Sequence, residues 1–225
     1  MQSFDIVKKC DPSDSFRVQS LIGKFDLKKE MSNERFVGQI PSLDDSWKIG
    51  VIYGHSGTGK STIAKEIYGI SDSHDYGTKS IVDEMPDNKT VQEISMAFSS
   101  VGFSSPPSWL KPFGILSNGE KMRVEIARHI LDNESLIVFD EFTSVVDRNV
   151  AKISSFAIQK AVRRSDKRFV AVSCHDDIID WLEPDWVFST NTMTTEWYKK
   201  KDQTSSSIFI ENHGEHGNYL GSIII

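Results

Sequence analysis

Residues 54 to 61 read Gly-His-Ser-Gly-Thr-Gly-Lys-Ser, and no other stretch limits so strictly what this chain can fold into. The apolar run "WKIGVIY" leads into it, and "STIAKEIYG" leads out with Ile63, Ala64, Ile67 and Tyr68 at helical spacing and Gly69 as a stop. Strand, glycine turn and helix therefore follow one another, which is the context the G-x-x-x-x-G-K-[ST] pattern requires. Glycine lets the backbone wrap tightly with successive N–H groups turned inward, and a helix starting near Lys60 adds its positive end. Such a turn is a phosphate cradle lined by Gly54, His55, Ser56, Gly57, Thr58, Gly59, Lys60, Ser61 and Thr62. Lys60 is expected to reach the β and γ phosphates, and the Ser61 hydroxyl to take one position on Mg²⁺. A ligand-free glycine turn would not need every fixed position and both flanks.

Downstream, the apolar run Leu136-Ile137-Val138-Phe139 delivers Asp140 and Glu141 at the end where open α/β sheets place ligands. Asp140 suits the Mg²⁺ shell, and Glu141 is placed to accept a proton from an attacking water. Alone, such a pair would read as a helix cap; a cradle upstream reverses that reading. Between cradle and acidic pair, Ser117-Asn118-Gly119-Glu120 opens a helix, whose free N–H groups and dipole form a second anion site.

With these motifs in order, the chain resembles the ABC ATPase superfamily. Leu116-Ser117-Asn118-Gly119-Glu120 occupies the slot of the LSGGQ signature, Ser144-Val145-Val146-Asp147 is similar to the D-loop, and His175 after "FVAVSC" to the switch histidine. The resemblance covers residues from about 16 to 190. It implies ATP and Mg²⁺ as cofactors, a γ-phosphate contact from His175, and nucleotide held between one chain's cradle and its neighbour's signature. With one copy of each motif, a homodimer or a partner ATPase follows. Asn118 and Glu120 depart from the usual glycine and glutamine, and Glu120 brings negative charge to an anion site. Asp83, Glu84 and Gln92 are the nearest candidates for the Q-loop glutamine, and Phe25 or Phe36 for the aromatic that stacks on adenine. "SSPPSWLKPFGILSNGE" and "CHDDIIDWLEPDWVF" also resemble soluble ABC ATPases from phages and prophages.

The expected fold is α/β, a P-loop NTPase of ABC type in one domain over 1–225. A mostly parallel core sheet is joined by an N-terminal antiparallel β layer over about 3–53 and a reduced helical subdomain over about 85–118. Within the layer, "SFDIV", "FRVQSLI", "RFVGQI" and "WKIGVIY" read as strands; "TTEWYKK", "SIFIENHG" and "GSIII" are candidate edge strands. Hydrophobic residues at 38% and charged residues at 26% describe a soluble globular chain. The longest apolar runs are too short to span a bilayer, and the N-terminus lacks the pattern of a secretory signal, so the cytoplasm is expected. A net charge of -6 restricts any DNA site to a local strip, such as Arg163, Arg164, Lys167 and Arg168 or Lys199, Lys200 and Lys201, though a solvated face explains both clusters. Cys10 and Cys174 lack zinc-binding spacing, and glycines around His213 and His216 oppose a helical metal motif. The functional expectation is a soluble ATPase whose ATP-dependent dimer acts on DNA or a protein partner. Alternatives are a nucleotide-binding subunit on a membrane permease, disfavoured by the short helical subdomain, and a nucleotide sensor with little hydrolysis.

Overall fold

The computed structural model describes residues 1–10, 13–26 and 32–198. The candidate strands "SIFIENHG" and "GSIII", the lysines 199 to 201, and His213 and His216 lie outside the described residues.

The chain opens with β1 (Gln2–Cys10) and β2 (Ser32–Ile40), an antiparallel pair in register from Gln2 opposite Ile40 to Cys10 opposite Ser32. Between them "FRVQSLI" is not the strand its Phe16 and Val18 alternation suggests, but the start of α1 (Phe16–Phe25). The physical reason lies in its other spacing: Val18, Leu21, Ile22 and Phe25 recur at three and four residues. The Ser15 hydroxyl caps the first turn by accepting the Val18 N–H, and Asp26 closes the last in the left-handed region.

The core strand β3 (Ile49–Tyr53) runs through the glycine turn into α2 (Lys60–Tyr68). The helical portion follows as α3 (Val91–Ser100) and the short α4 (Pro106–Trp109), and α5 (Asn118–Leu131) returns the chain to the sheet. Then come β4 (Leu136–Phe139), α6 (Arg148–Arg164), β5 (Arg168–Ser173), α7 (Ile178–Leu182), β6 (Trp186–Ser189) and β7 (Thr194–Trp197). The sheet order is β4-β5-β3-β6-β7, parallel except for β7. This is the α/β architecture expected of the sequence, except that "WKIGVIY" is not part of the antiparallel layer: its Ile49–Tyr53 pairs parallel with β5 and β6, buried on both faces, and leaves β1 and β2 as the layer.

Both faces of the sheet are buried, and the period of two along each strand sorts the side chains. Ile49, Val51, Ile137, Phe169, Ala171 and Val187 belong to the core shared with α3, α5 and α6, while Ile52, Val138, Val170, Val172, Trp186 and Phe188 meet α2 and β2. The outer edge of β4 is covered by the irregular segment 69–80: Ser71 donates its N–H to the Val138 carbonyl at 3.0 Å, and its hydroxyl accepts the Val138 N–H at 3.0 Å. No helix among the described residues is long and apolar enough to cross a membrane.

The basic cluster at 163–168 serves the fold. Arg163 pairs with Asp185 at 3.2 Å, Lys167 is buried with its ammonium on the carbonyls of Asp132 and Glu134, and Arg168 lies over the Trp47 ring and donates to the Leu43 carbonyl. Three of the four side chains are thus committed within the chain, which corrects the expectation of a shared solvated or DNA-facing strip.

Candidate functional site

The strand register brings the separate motifs to one edge. Tyr53 stands opposite Ser173 and Phe139 opposite Ala171, so Gly54, Asp140 and Cys174 all leave the sheet at neighbouring C-terminal ends.

In the cradle, Gly57 and Gly59 take φ of 82° and 88°, the left-handed region open to glycine. At Gly59 a Cβ would also stand 2.4 Å from the Phe36 ring, so that ring forms the floor beneath the turn. Phe36 is buried by this role, whereas Phe25 is 60% exposed on α1; of the two adenine candidates only Phe25 offers an open face. Lys60 is itself buried, and its ammonium donates to the His55 carbonyl at 2.8 Å.

Two buttresses of this turn were not foreseen. The Asn191 carboxamide oxygen accepts the His55 N–H at 3.1 Å, and the Thr190 and Thr58 hydroxyls are 2.5 Å apart. Thr190 is anchored in turn, donating its N–H to the Tyr53 carbonyl at 2.9 Å. The signal available in sequence was only that "STN" ends the apolar strand "WVF", beside the cradle in a parallel sheet.

The Ser61 hydroxyl donates to Asp140 Oδ1 at 3.0 Å, although 79 positions separate the two residues. A hydroxyl and a carboxylate converging beside a phosphate turn are the hard oxygen donors that Mg²⁺ prefers, so the residues present fit that ion. Asp140 Oδ1 also accepts the Glu141 N–H at 3.0 Å. Beyond it the backbone is strained: Glu141 and Thr143 take φ of 53° and 65°, uncommon for a β-branched threonine. Between them the buried Phe142 donates its N–H to the Val172 carbonyl at 2.8 Å, pinning the turn to β5. The turn leaves Glu141 exposed, with Oε2 accepting the Ser144 hydroxyl at 2.6 Å. His175 is half-buried on the loop after β5, its N–H held by the Ser173 hydroxyl at 3.1 Å.

At the head of α5, Ser117 and Glu120 form a reciprocal cap: the serine hydroxyl accepts the Glu120 N–H, and Glu120 Oε2 accepts the Ser117 N–H at 2.9 Å. Burial raises the Glu120 pKa, but the Ser117 N–H and hydroxyl bonds prevail and hold it below the usual carboxylate value. The head of α5 is tied to the turn before α6, since the Asn118 carboxamide donates to the Val145 carbonyl at 3.3 Å. Asp147 caps α6 by accepting the Asn149 N–H at 2.8 Å. Among the Q-loop candidates, Glu84 accepts the Lys79 N–H at 3.2 Å from a 3-10 turn it shares with Asp83, and Gln92 lies on α3.

No family model matches the chain. It is similar to the energy-coupling factor transporter ATP-binding protein EcfA1 of Staphylococcus aureus strain N315, 28% identical over 209 residues, covering 76% of this chain and 75% of that protein. The same protein from strain USA300 is 28% identical over 197 residues, with 70% and 71% covered. Among solved structures, cbiO1 from Clostridium perfringens, part of the ABC transporter complex cbiONQ, has a TM-score of 0.53 at 16% identity, covering 74% of this chain and 79% of that one. A metal-chelate type ABC transporter in an inward-facing conformation gives 0.53 at 19%, covering 73% and 77%. The chain is thus similar to transporter ATP-binding proteins over about three quarters of its length, and it shares the α/β fold of these two solved ABC transporter structures.

Proposed function

We propose that the chain is a single ABC-type nucleotide-binding domain that binds and hydrolyses ATP with Mg²⁺ in a head-to-tail dimer. The observation that carries this reading is the 3.0 Å contact of Ser61 with Asp140 at the sheet edge where the cradle and Glu141 also emerge. Lys60 would release the His55 carbonyl to hold β and γ phosphate oxygens, and Ser61 with Asp140 would hold Mg²⁺. Bound there, the ion neutralises charge developing on the transferred phosphate. Glu141, oriented by the Ser144 hydroxyl, would take the proton of the attacking water, and His175 would donate to the γ phosphate. The neighbour's α5 would close the site with its N-terminus.

For the biological role, the relatives favour a nucleotide-binding subunit working on a membrane permease over a soluble switch on DNA or a protein partner. The EcfA1 proteins are named as transporter ATP-binding proteins, and cbiO1 is part of a transporter complex. Consistent with a docked partner, residues 91 to 115 expose apolar side chains at Val91, Met96, Leu110 and Ile115. A nucleotide sensor with slow turnover is the second reading, favoured by the carboxylate that Glu120 sets on the anion-binding tip.

The test is Glu141→Gln. Turnover should fall at least a hundredfold, as expected on loss of a general base, and light scattering should show a dimer with Mg-ATP and a monomer without. A monomer in both states sinks the dimer; turnover unchanged in the variant sinks the role of Glu141. Capture by the trapped form separates the roles: a permease from detergent-solubilised membranes supports the transporter subunit, and a soluble partner the switch. Wild-type turnover at background supports the sensor.

A further inference from the structure

Away from the nucleotide edge, the irregular segment 69–80 crosses the second half of α5, and two histidines and a glutamate meet there. Glu125 and His129, four residues apart, share one face of α5, and His74 reaches them from the crossing segment. One ligand atom from each of the three lies within 4.8 Å of the other two. His74 Nδ1 is 3.1 Å from Glu125 Oε2, and the His74 and His129 ring centroids are 4.7 Å apart.

We propose that His74, Glu125 and His129 bind a divalent transition metal, zinc by their donor set, clamping the 69–80 segment onto α5. Two imidazoles and a carboxylate are a known zinc set, and a water completes four-coordination. Zinc bonds of about 2.0–2.2 Å require donor atoms roughly 3.4 Å apart, so pairs now within 4.8 Å must close by up to about 1.4 Å as the ion binds.

Three observations separate this cluster from an ordinary ion pair. His129 is only 3% exposed, and its buried Nδ1 has no hydrogen-bond partner, its nearest carboxylate being Glu134 at 3.8 Å. A protonated His74 bridging two carboxylates would leave that second imidazole without a purpose. His74 Nε2 contacts Asp132 Oδ2 at 2.9 Å, the outer carboxylate that fixes tautomer and ring orientation for a metal-ligating histidine. Charge also suits a dication: Glu125, Asp132, Asp72 and Glu134 surround the rings, with Arg128 paired to Asp132 at 3.3 Å. The clamp spans 51 positions from His74 to Glu125, and it would order a segment that has no helix or strand of its own.

The test uses the full chain, stripped with a chelator, returned to Zn²⁺ in excess Mg²⁺ without nucleotide, desalted and assayed for metal. One zinc per chain and a Tm raised by about 5–11 °C near a hundredfold excess over the dissociation constant are expected. His74→Ala, at a partly exposed position, should abolish retention, and Asp132→Asn should weaken it 10- to 100-fold. Ser61→Ala should retain zinc fully, which separates this site from the nucleotide edge. His129→Ala risks misfolding because it empties a buried position, so His74→Ala decides. A stripped chain that takes up no zinc overturns the proposal, as does zinc retained unchanged by His74→Ala.

Discussion

Glu120 occupies the first turn of α5 at the position where the resemblance sets an uncharged glutamine. Its carboxylate holds both the Ser117 N–H at 2.9 Å and the Ser117 hydroxyl at 2.8 Å, and its lowered pKa keeps it ionised at neutral pH. In the proposed dimer, a γ phosphate held by the neighbouring chain would need those same donors and would meet a like charge. Glutamine would keep an acceptor oxygen for the cap without the charge. A single charge at a helix N-terminus is worth about 0.3–1 kcal/mol, and the proposed dimer has two such sites, so Glu120→Gln should tighten the Mg-ATP dimer roughly three- to thirtyfold. Light scattering in the Glu141→Gln background reads this directly; an unchanged or weaker dimer means that the carboxylate does not oppose phosphate. Ser117→Ala removes the cap itself and should cost about 1 kcal/mol in urea unfolding. A loss near zero would show that the cap adds nothing to α5.

Between elements, the tightest approach at the signature is that of α5 to α6. A Cβ on Gly119 would stand 2.7 Å from Val150 Cγ1, and a valine on a helix has little rotamer freedom with which to yield. Gly119→Ala therefore sets overpacking of about 1–3 kcal/mol against a helix-propensity gain of about 1 kcal/mol. In a Val150→Ala background the clash disappears and only the gain remains, so the same substitution should change from neutral or destabilising to stabilising. A double-mutant cycle by urea unfolding measures the coupling, and a value near zero would mean the helices are not in contact there. Elements of this kind were legible where one pattern dominated: Ile63, Ala64, Ile67 and Tyr68 at helical spacing on α2, or "LIVF" as a short buried strand. In α1 two periods compete, and the alternation of Phe16 and Val18 hid the helical spacing from Val18 to Phe25. The candidate site was legible because each motif is contiguous and the parallel sheet aligns them. The Thr190–Thr58 and Asn191–His55 contacts and the cluster at His74 were not, because they join residues 51 to 136 positions apart. Glu125 and His129, one helical turn apart, were the one local sign of that cluster.

At the scale of the whole molecule, the cradle and the signature tip take their partners from different places. The cradle leans on the ends of β4 and β6 through Asp140, Thr190 and Asn191, while the tip leans on Val145 and Val150. Each half is thus braced within its own chain, and a head-to-tail dimer with two-fold symmetry would unite them across the interface. This arrangement predicts complementation between two inactive variants. Lys60→Ala spoils the cradle and Ser117→Arg the tip, so every site in either homodimer has one spoiled half and turnover is lost. In a mixed dimer, one site combines both spoiled halves and the other combines both intact halves. With random exchange, half the dimers are mixed and half their sites work, so an equal mixture should recover about a quarter of wild-type turnover if the sites act independently. The Ser117→Arg chain can spare its cap, whose loss of about 1 kcal/mol is small beside the 5–15 kcal/mol typical of folded domains. If one chain instead built a whole site by itself, no pairing could restore function and the mixture would stay as inactive as its components.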